Sequence, residues 1–281
     1  MDLIPVAFDS MGVRSMCCFV KSDPAILIDP GVSLAPTRFG LPPHQSELKK
    51  LLEKRRMIQD YGKKADILTI SHWHNDHHTP FINGLYGSVT PGKARSLYCR
   101  KTVLAKGVKG LNFMQKKRAL SFQNHCTFVP CDQKRFSFNG MTLKFSHPVS
   151  HGTFKKIPVV MLSISVEGET KIVHASDIQG LSGLSFIKDE NPDLLIMSGP
   201  PAYFLNPEEL SKARSNILEA LDYCDQLILD HHHVRDLAYK EILHDVWKST
   251  KVKTAAEYAG QPNCLLEAKR KELYSSEELK N

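Results

Sequence analysis

The segment Thr69-Ile-Ser71-His72-Trp73-His74-Asn75-Asp76-His77-His78 places four histidines and one aspartate within seven positions, directly after a short apolar run. Neutral imidazoles and carboxylates are the donors on which zinc, iron and manganese sites draw. A chain leaving a sheet at a strand end can aim such closely spaced side chains into one cleft. Packed without a ligand, each of these rings would demand hydrogen-bond partners of its own. The chemistry indicated is metal binding, with a water molecule as the group a metal activates.

Further donors stand after other apolar runs. Asp29 closes Ala25-Ile-Leu-Ile-Asp29 and precedes Pro30-Gly31, a sequence that equally suits a plain turn. His151 lies in His147-Pro-Val-Ser-His151-Gly152, where a simple loop histidine is the alternative and His147 the competitor. Asp177 ends Ile172-Val-His-Ala-Ser-Asp177 and could instead cap a turn at Gly180, while His174 reads as a core histidine. Asp230-His231-His232-His233 follows the run Gln226–Leu229. If strand geometry persisted there, His231 and His233 would share a side and His232 would oppose them.

The run His72-x-His74-x-Asp76-His77 resembles the signature motif of the metallo-β-lactamase superfamily. The resemblance continues in order over most of the chain through Asp29, His151, Asp177 and Asp230-His231-His232. With Leu265-Leu-Glu-Ala-Lys-Arg-Lys-Glu-Leu-Tyr274, the Asp-His-His stretch is similar to a mainly archaeal branch of these metal-dependent hydrolases. The resemblance implies an α/β fold, an αββα sandwich of two mixed β-sheets flanked by helices. It implies one metal ion on His72, His74 and His151, and a second on Asp76, His77 and His232 or His231, with Asp177 bridging. His232 is preferred over His231, because Asp230 would then lie on its side as a supporting partner. Asp76 and Asp177 become the catalytic carboxylates, Asp29 braces the loop, and His78, His147 and Asp230 support the ligands or touch substrate. Two divalent ions follow, zinc first on ligand type, with iron and manganese also suited.

The implied activity is hydrolysis by metal-activated water, on a small molecule or a phosphodiester, or on another ester- or amide-like bond. No Gly-x-Ser-x-Gly elbow competes with it. Two other readings stay open: a metal-dependent nuclease acting on RNA or DNA, and a non-catalytic scaffold that keeps metal for stability.

These donors need strands to carry them. Leu3–Phe8, Met16–Lys21, Ala25–Asp29, Asp66–Ile70, Asp193–Met197 and Gln226–Leu229 read as strands. Asn139-Gly140 between two alternating runs predicts a hairpin, and Val159–Val166 and Thr170–Ala175 flank Gly168 in the same way. Helices are expected over Gln45–Gln59, Pro207–Tyr223, Asp236–Lys248 and Asn263–Leu273. Asn206 as cap, Pro207 at the first helical position and Glu208 and Glu209 after it announce the second of these. No linker or repeat divides the chain, so one domain over 1–281 is expected.

Of the 281 residues, 42% are apolar and 24% charged, enough to bury a core. No apolar run approaches the ~18–20 residues of a membrane span, and the expected location is cytoplasmic. The net charge is +7, with Lys101, Lys106, Lys109, Lys116, Lys117 and Arg118 gathered in one stretch. Such a stretch attracts phosphate-bearing partners, nucleic acid included, but a solvated lysine face is the plainer reading. The seven cysteines form no CxxC pair and are expected as buried free thiols.

Overall fold

Strand Ile26–Ile28 shows how the layers arise. Ile26 and Ile28 face one buried cluster and Leu27 faces another, because successive side chains point to opposite faces of a sheet. A strand with both faces covered reads as a continuous apolar run, and this one does. The computed structural model describes residues 1–82, 84, 86–87 and 89–278.

The first sheet runs in the order β1 (Asp2–Phe8), β2 (Met16–Lys21), β3 (Ile26–Ile28), β4 (Ile67–Ile70), β5 (Thr102–Ala105), β6 (Val129–Pro130). Its first three strands pair antiparallel and the rest parallel. The second sheet contains β7 (Arg135–Phe138), β8 (Met141–Phe145), β11 (Leu162–Val166), β12 (Ile172–Ser176), β13 (Leu194–Ser198), β14 (Gln226–Asp230) and β15 (Val252–Lys253). It too is mixed, parallel from β12 to β15 and antiparallel from β7 to β12. β9 (Val149–His151) and β10 (Phe154–Val159) form a separate hairpin.

Ile26, Ile28 and Ile67 of the first sheet share one core with Leu143, Ile164 and Ile196 of the second. The outer face of the first sheet packs on α1 (Gln45–Lys64), α2 (Pro91–Tyr98) and α3 (Phe113–Gln123) through Leu51, Ile58, Leu97 and Phe122. The outer face of the second packs on α4 (Leu184–Glu190) and α5 (Pro207–Ala220) through Ile187, Ile217 and Ala220. Two mixed sheets between two helical layers make the αββα sandwich that the motifs implied. No described helix is long and apolar enough to cross a membrane.

Several expected elements differ in extent. α1 continues beyond Gln59 to Lys64, because the bare Cα of Gly62 admits Leu97, which a Cβ would meet at 2.3 Å. Val159–Val166 is not one strand: Val160 lies between β10 and β11 and its N–H donates to Ser71 O at 3.1 Å. The helix expected over Asp236–Lys248 is two short ones, α6 (Tyr239–Ile242) and α7 (His244–Trp247), broken at Leu243 with φ −114 and ψ 46. After α8 (Ala255–Tyr258), helix is regained only in α9 (Arg270–Glu278), not from Asn263. Cys264 N–H donates to Ser10 O at 2.7 Å, and Glu267 pairs with Arg14, so tertiary contacts hold that segment out of a helix.

One cysteine expectation is corrected. Cys99 and Cys126 form a disulfide, joining the end of α2 to the turn after α3, while Cys17, Cys18, Cys131, Cys224 and Cys264 are free thiols. The two helix ends are neighbours because Tyr98 and Phe122 pack edge-on, with ring centroids 4.8 Å apart.

Candidate metal centre

The parallel strands β3, β4, β12 and β14 all deliver their carboxyl ends to one edge of the sandwich, where open α/β sheets commonly bind ligands. The loop after β4 carries the densest group of donors. His77 and His78 N–H both donate to His74 O at 3.0 Å, and this turn draws residues 72–77 into one cluster. Trp73 points the other way: it is fully buried, and its Nε1–H donates to Lys106 O at 2.9 Å.

Asp29 braces this loop from the end of β3. Its Oδ1 accepts from Ser71 N–H at 2.7 Å, and its Oδ2 accepts from Ser71 Oγ at 2.6 Å and Ser176 Oγ at 3.0 Å. The same Oδ2 lies 2.8 Å from His77 Nδ1, which fixes that ring with Nε2 toward the cleft. Next to it, a Cβ on Gly31 would fall 2.2 Å from His78 N, so only glycine lets the β3 turn lie against the donor loop. Asp29, Ser176 and His231 have φ of 45, 57 and 67. Left-handed non-glycine residues of this kind gather where a site over-determines the backbone.

Among the described residues the donors fall into three overlapping groups, within each of which the ligand atoms lie within 4.8 Å of one another. They are His72, His74, His151 with Asp177; Asp76, His77 with His231; and Asp177 with His231 and His232. Asp177 joins them: its Oδ2 is 2.6 Å from His151 Nε2, 3.1 Å from His232 Nε2 and 3.4 Å from His231 Nε2. His231 Nε2 lies 3.7 Å from Asp76 Oδ2.

These residues suit a cation. Among the described residues, His77 Nε2 and Asp177 Oδ1 are buried without a hydrogen-bond partner, a state that costs about 1–3 kcal/mol per group unless something binds there. Burial pushes the His72 imidazole well below its usual range and His74 down to about 3, so both are neutral donors at pH 7. Burial alone would raise Asp76 and Asp177, but the surrounding histidines overcome it and hold both carboxyls low. His231 is the exception. Burial opposes its charge, yet the Asp9 carboxylate lifts it to about 10, so proton and cation compete for its Nε2.

The geometry around 231–233 departs from the strand reading. β14 stops at Asp230, and residues 231–235 form a 3-10 turn entered through the left-handed His231. His231 and His232 therefore both face Asp177, whereas His233 turns away and its Nε2 accepts from Trp247 Nε1–H at 3.1 Å. His231, not His232, completes the group with Asp76 and His77. Asp230 does not touch the His232 ring: it accepts from the N–H groups of Ser10 at 3.1 Å, His231 at 2.7 Å and Ala255 at 2.8 Å.

His78 is buried with Nδ1 2.7 Å from His74 O, His147 is exposed, and His174 is a core histidine donating from Nε2 to Met16 O at 2.9 Å. The basic stretch is not one face. Lys106 is fully buried against Asp132 at 2.6 Å, whereas Arg118 reaches the cleft over the donors. Sequence reasoning missed Asp9 and Arg235. Asp9 Oδ2 is 2.7 Å from His231 Nδ1, and its Oδ1 accepts from Arg235 Nε at 2.6 Å. A signal existed: Asp9, like Asp29, Asp177 and Asp230, is an acid at the end of an apolar strand.

Above the donors lies a cleft of about 340 Å³ whose walls include Arg14, Asn75, Asp76, Arg118, His232 and Arg235. Pro36, from the segment 36–44, also lines it.

An αββα sandwich with this histidine and aspartate cluster at the strand ends defines a protein of the metallo-β-lactamase fold. The isothiocyanate hydrolase from Delia radicum gut bacteria aligns over 90% of this chain and 95% of its own, with TM-score 0.53 and 14% identity. A structure described as a possible metal-dependent hydrolase from Veillonella parvula aligns over 86% and 94%, with TM-score 0.53 and 13% identity. Within that fold the chain belongs to the UPF0282 family. It is 40% identical to the UPF0282 protein of Thermococcus kodakarensis, over 99% of this chain and 96% of that one. Its identity to the UPF0282 protein of Methanocaldococcus jannaschii is 38%, over 99% and 98%. No protein-family model matches the chain.

Proposed function

We propose that the protein is a metal-dependent hydrolase working through a dinuclear centre, zinc in the first instance, on a phosphodiester or another ester- or amide-like bond. The observation that carries this reading is Asp177, which stands in a histidine-rich donor group and in a second group beside His231. Imidazole with carboxylate suits zinc, and also iron or manganese. Bound there, such ions supply a Lewis acid and a water whose pKa falls from ~15.7 toward ~7. One neighbour of this fold is an isothiocyanate hydrolase and another is described as a possible metal-dependent hydrolase, which supports the reaction class.

The chain's own groups have distinct tasks. Asp76 stands on the cleft wall with its carboxylate held ionised, where it would orient the attacking water as a hydrogen-bond acceptor. Arg235 Nη1 lies 2.9 Å from His232 Nδ1, and a guanidinium only donates, so His232 Nδ1 accepts and its proton sits on Nε2. That N–H donates to Asp177 Oδ2 at 3.1 Å, so in this tautomer His232 orients Asp177, and its Nε2 would join the donors only on losing that proton. Asp29 and Asp9 hold the His77 and His231 rings in register.

Metal analysis of purified protein, followed by a chromogenic screen with phosphodiesters, thioesters and lactams, tests this directly. Asp76→Ala and Asp177→Ala are expected to abolish chelator-sensitive hydrolysis in folded protein; full turnover in both would sink the mechanism. A second reading, a nuclease, is favoured by Lys116 and Lys117 on α3 beside Arg118. Its mark is cleavage of RNA or DNA with binding that weakens steeply as salt rises.

A further inference from the structure

Among the described residues three arginines line the cleft, but two are already engaged. Arg14 grips Glu267 with Nε and Nη2, both at 2.6 Å, and Arg235 holds Asp9. Arg118 is different. It is half-buried, its Nη1 donates to Trp73 O at 3.0 Å, and among the described residues it forms no ion pair with a carboxylate. A desolvated guanidinium that keeps free donors recovers most by meeting a forked oxyanion.

Arg118 also faces a second cavity. Asn75 and Arg118 line both the cleft and an adjoining pocket of about 220 Å³. The rest of that pocket is largely apolar, with Phe81, Ile82, Met114 and Phe122 on its wall beside Ser121 and Lys117, and the Phe81 and Phe122 rings edge-on at 5.4 Å. An apolar cavity of ~150 Å³ holds a benzene molecule, so this one has room for a single ring with a small substituent. Gly87 closes over the junction: a Cβ there would come within 3.1 Å of Asn75 Nδ2.

We propose that the substrate has two parts, an oxyanion set against Arg118 at the edge of the metal centre and one apolar ring lodged in the neighbouring pocket. This rests on the hydrolase reading of the cleft and adds to it the substrate class. The oxyanion is a phosphoryl or a carboxylate group; the guanidinium recognises either through the same paired hydrogen bonds.

Calorimetric titration of the zinc-loaded full chain with phenylphosphonate, methylphosphonate and benzoate tests the inference apart from turnover. Phenylphosphonate is expected to bind at least about tenfold more tightly than methylphosphonate. Ser121→Trp or Met114→Trp, which fill the pocket, erase that difference. Arg118→Gln weakens both phosphonates by about tenfold or more, and Arg118→Lys restores part of the loss; circular dichroism checks that each variant is folded. Tighter binding of benzoate than of phenylphosphonate assigns the oxyanion as carboxylate, and the reverse as phosphoryl. Equal affinity for the two phosphonates in the unaltered protein, or no loss in Arg118→Gln, overturns the proposal. Turnover in the chromogenic screen without this binding pattern removes the two-part substrate and leaves the hydrolase. The binding pattern without any turnover keeps the anion and ring sites and removes the hydrolase.

Discussion

Asp9 and His231, 222 positions apart in the sequence, meet with Oδ2 2.7 Å from Nδ1. Both are buried, and Arg235 closes the set by donating to the other Asp9 oxygen. The carboxylate thus fixes which histidine nitrogen faces Asp76 and Asp177.

Asp9→Asn keeps the shape and removes the charge. Zinc affinity is expected to fall by about 10–100-fold, the usual loss when such a supporting partner is changed. The substitution also removes the nearest carboxylate from the buried Arg235, which keeps only Asp76 at 4.0 Å, so stability is expected to fall by up to about 3–5 kcal/mol, the cost of a broken buried pair. Competition with a chromogenic chelator reads the first effect and urea unfolding the second. Unchanged zinc affinity would show that Asp9 does not orient His231.

Asp177 stands in the group of His72, His74 and His151, and its Oδ2 also lies 3.4 Å from His231 Nε2 and 3.9 Å from His77 Nε2, the histidines of the other position. In Asp177→Ala the metal content is therefore expected to fall for both positions, not one, and hydrolysis by at least about a hundredfold. Asp76→Ala takes a donor only from the group with His77 and His231, so the His72, His74, His151 position should retain its ion. Metal counts by elemental analysis separate the two variants. Equal loss in both would remove the special place given to Asp177.

The Cys99–Cys126 disulfide closes a segment of 27 residues. Chain-entropy arithmetic for a loop of that size gives about 3–4 kcal/mol of stabilisation. The Cys99→Ser/Cys126→Ser double variant is expected to unfold at lower urea by that amount, and reductant should lower the unaltered protein toward it. If reductant shifts both proteins equally, the bond contributes nothing to stability.

A fourth expectation concerns acid. Burial holds His233 down at about 3, and its Nε2 must stay unprotonated to accept from Trp247. Unfolded, the same ring protonates near 6.5. Between those values the unfolded chain binds the extra proton, so stability is intact above about pH 6.5 and declines as pH falls toward 3, at about 1.4 kcal/mol per pH unit. His233→Gln keeps an acceptor for Trp247 and removes the titration. Urea midpoints at pH 7 and pH 5 should converge in that variant relative to the unaltered protein, and identical slopes would exclude His233 as a source.

Much of this site was legible because its donors are chemically conspicuous and stand just after apolar strands. The motif at 72–77, with Asp29, His151 and Asp177, could be picked out by residue type and by resemblance, and the structure brings these residues together. What escaped depends on conformation or on distant pairing. The left-handed turn at His231 overrides strand alternation and puts two adjacent histidines on one side, which no period-two pattern anticipates. Asp9 is spelled like any turn aspartate until Arg235 and His231 arrive beside it. Cys99 and Cys126 carry no motif; only the packing of α2 against α3 makes them neighbours. Likewise the segment after Asn263 has helical periodicity, but contacts with Ser10 and Arg14 claim it first.

The donors come from both halves of the sandwich: His72 to His77 follow a strand of the first sheet, and Asp177 and His231 follow strands of the second. An ion gripped by both would work as a rivet across the seam. A ligand that binds the folded chain and not the unfolded one stabilises the fold by mass action. Heat tolerance is therefore expected to rise with the free metal concentration, and a chelator to lower the melting temperature as well as any hydrolysis.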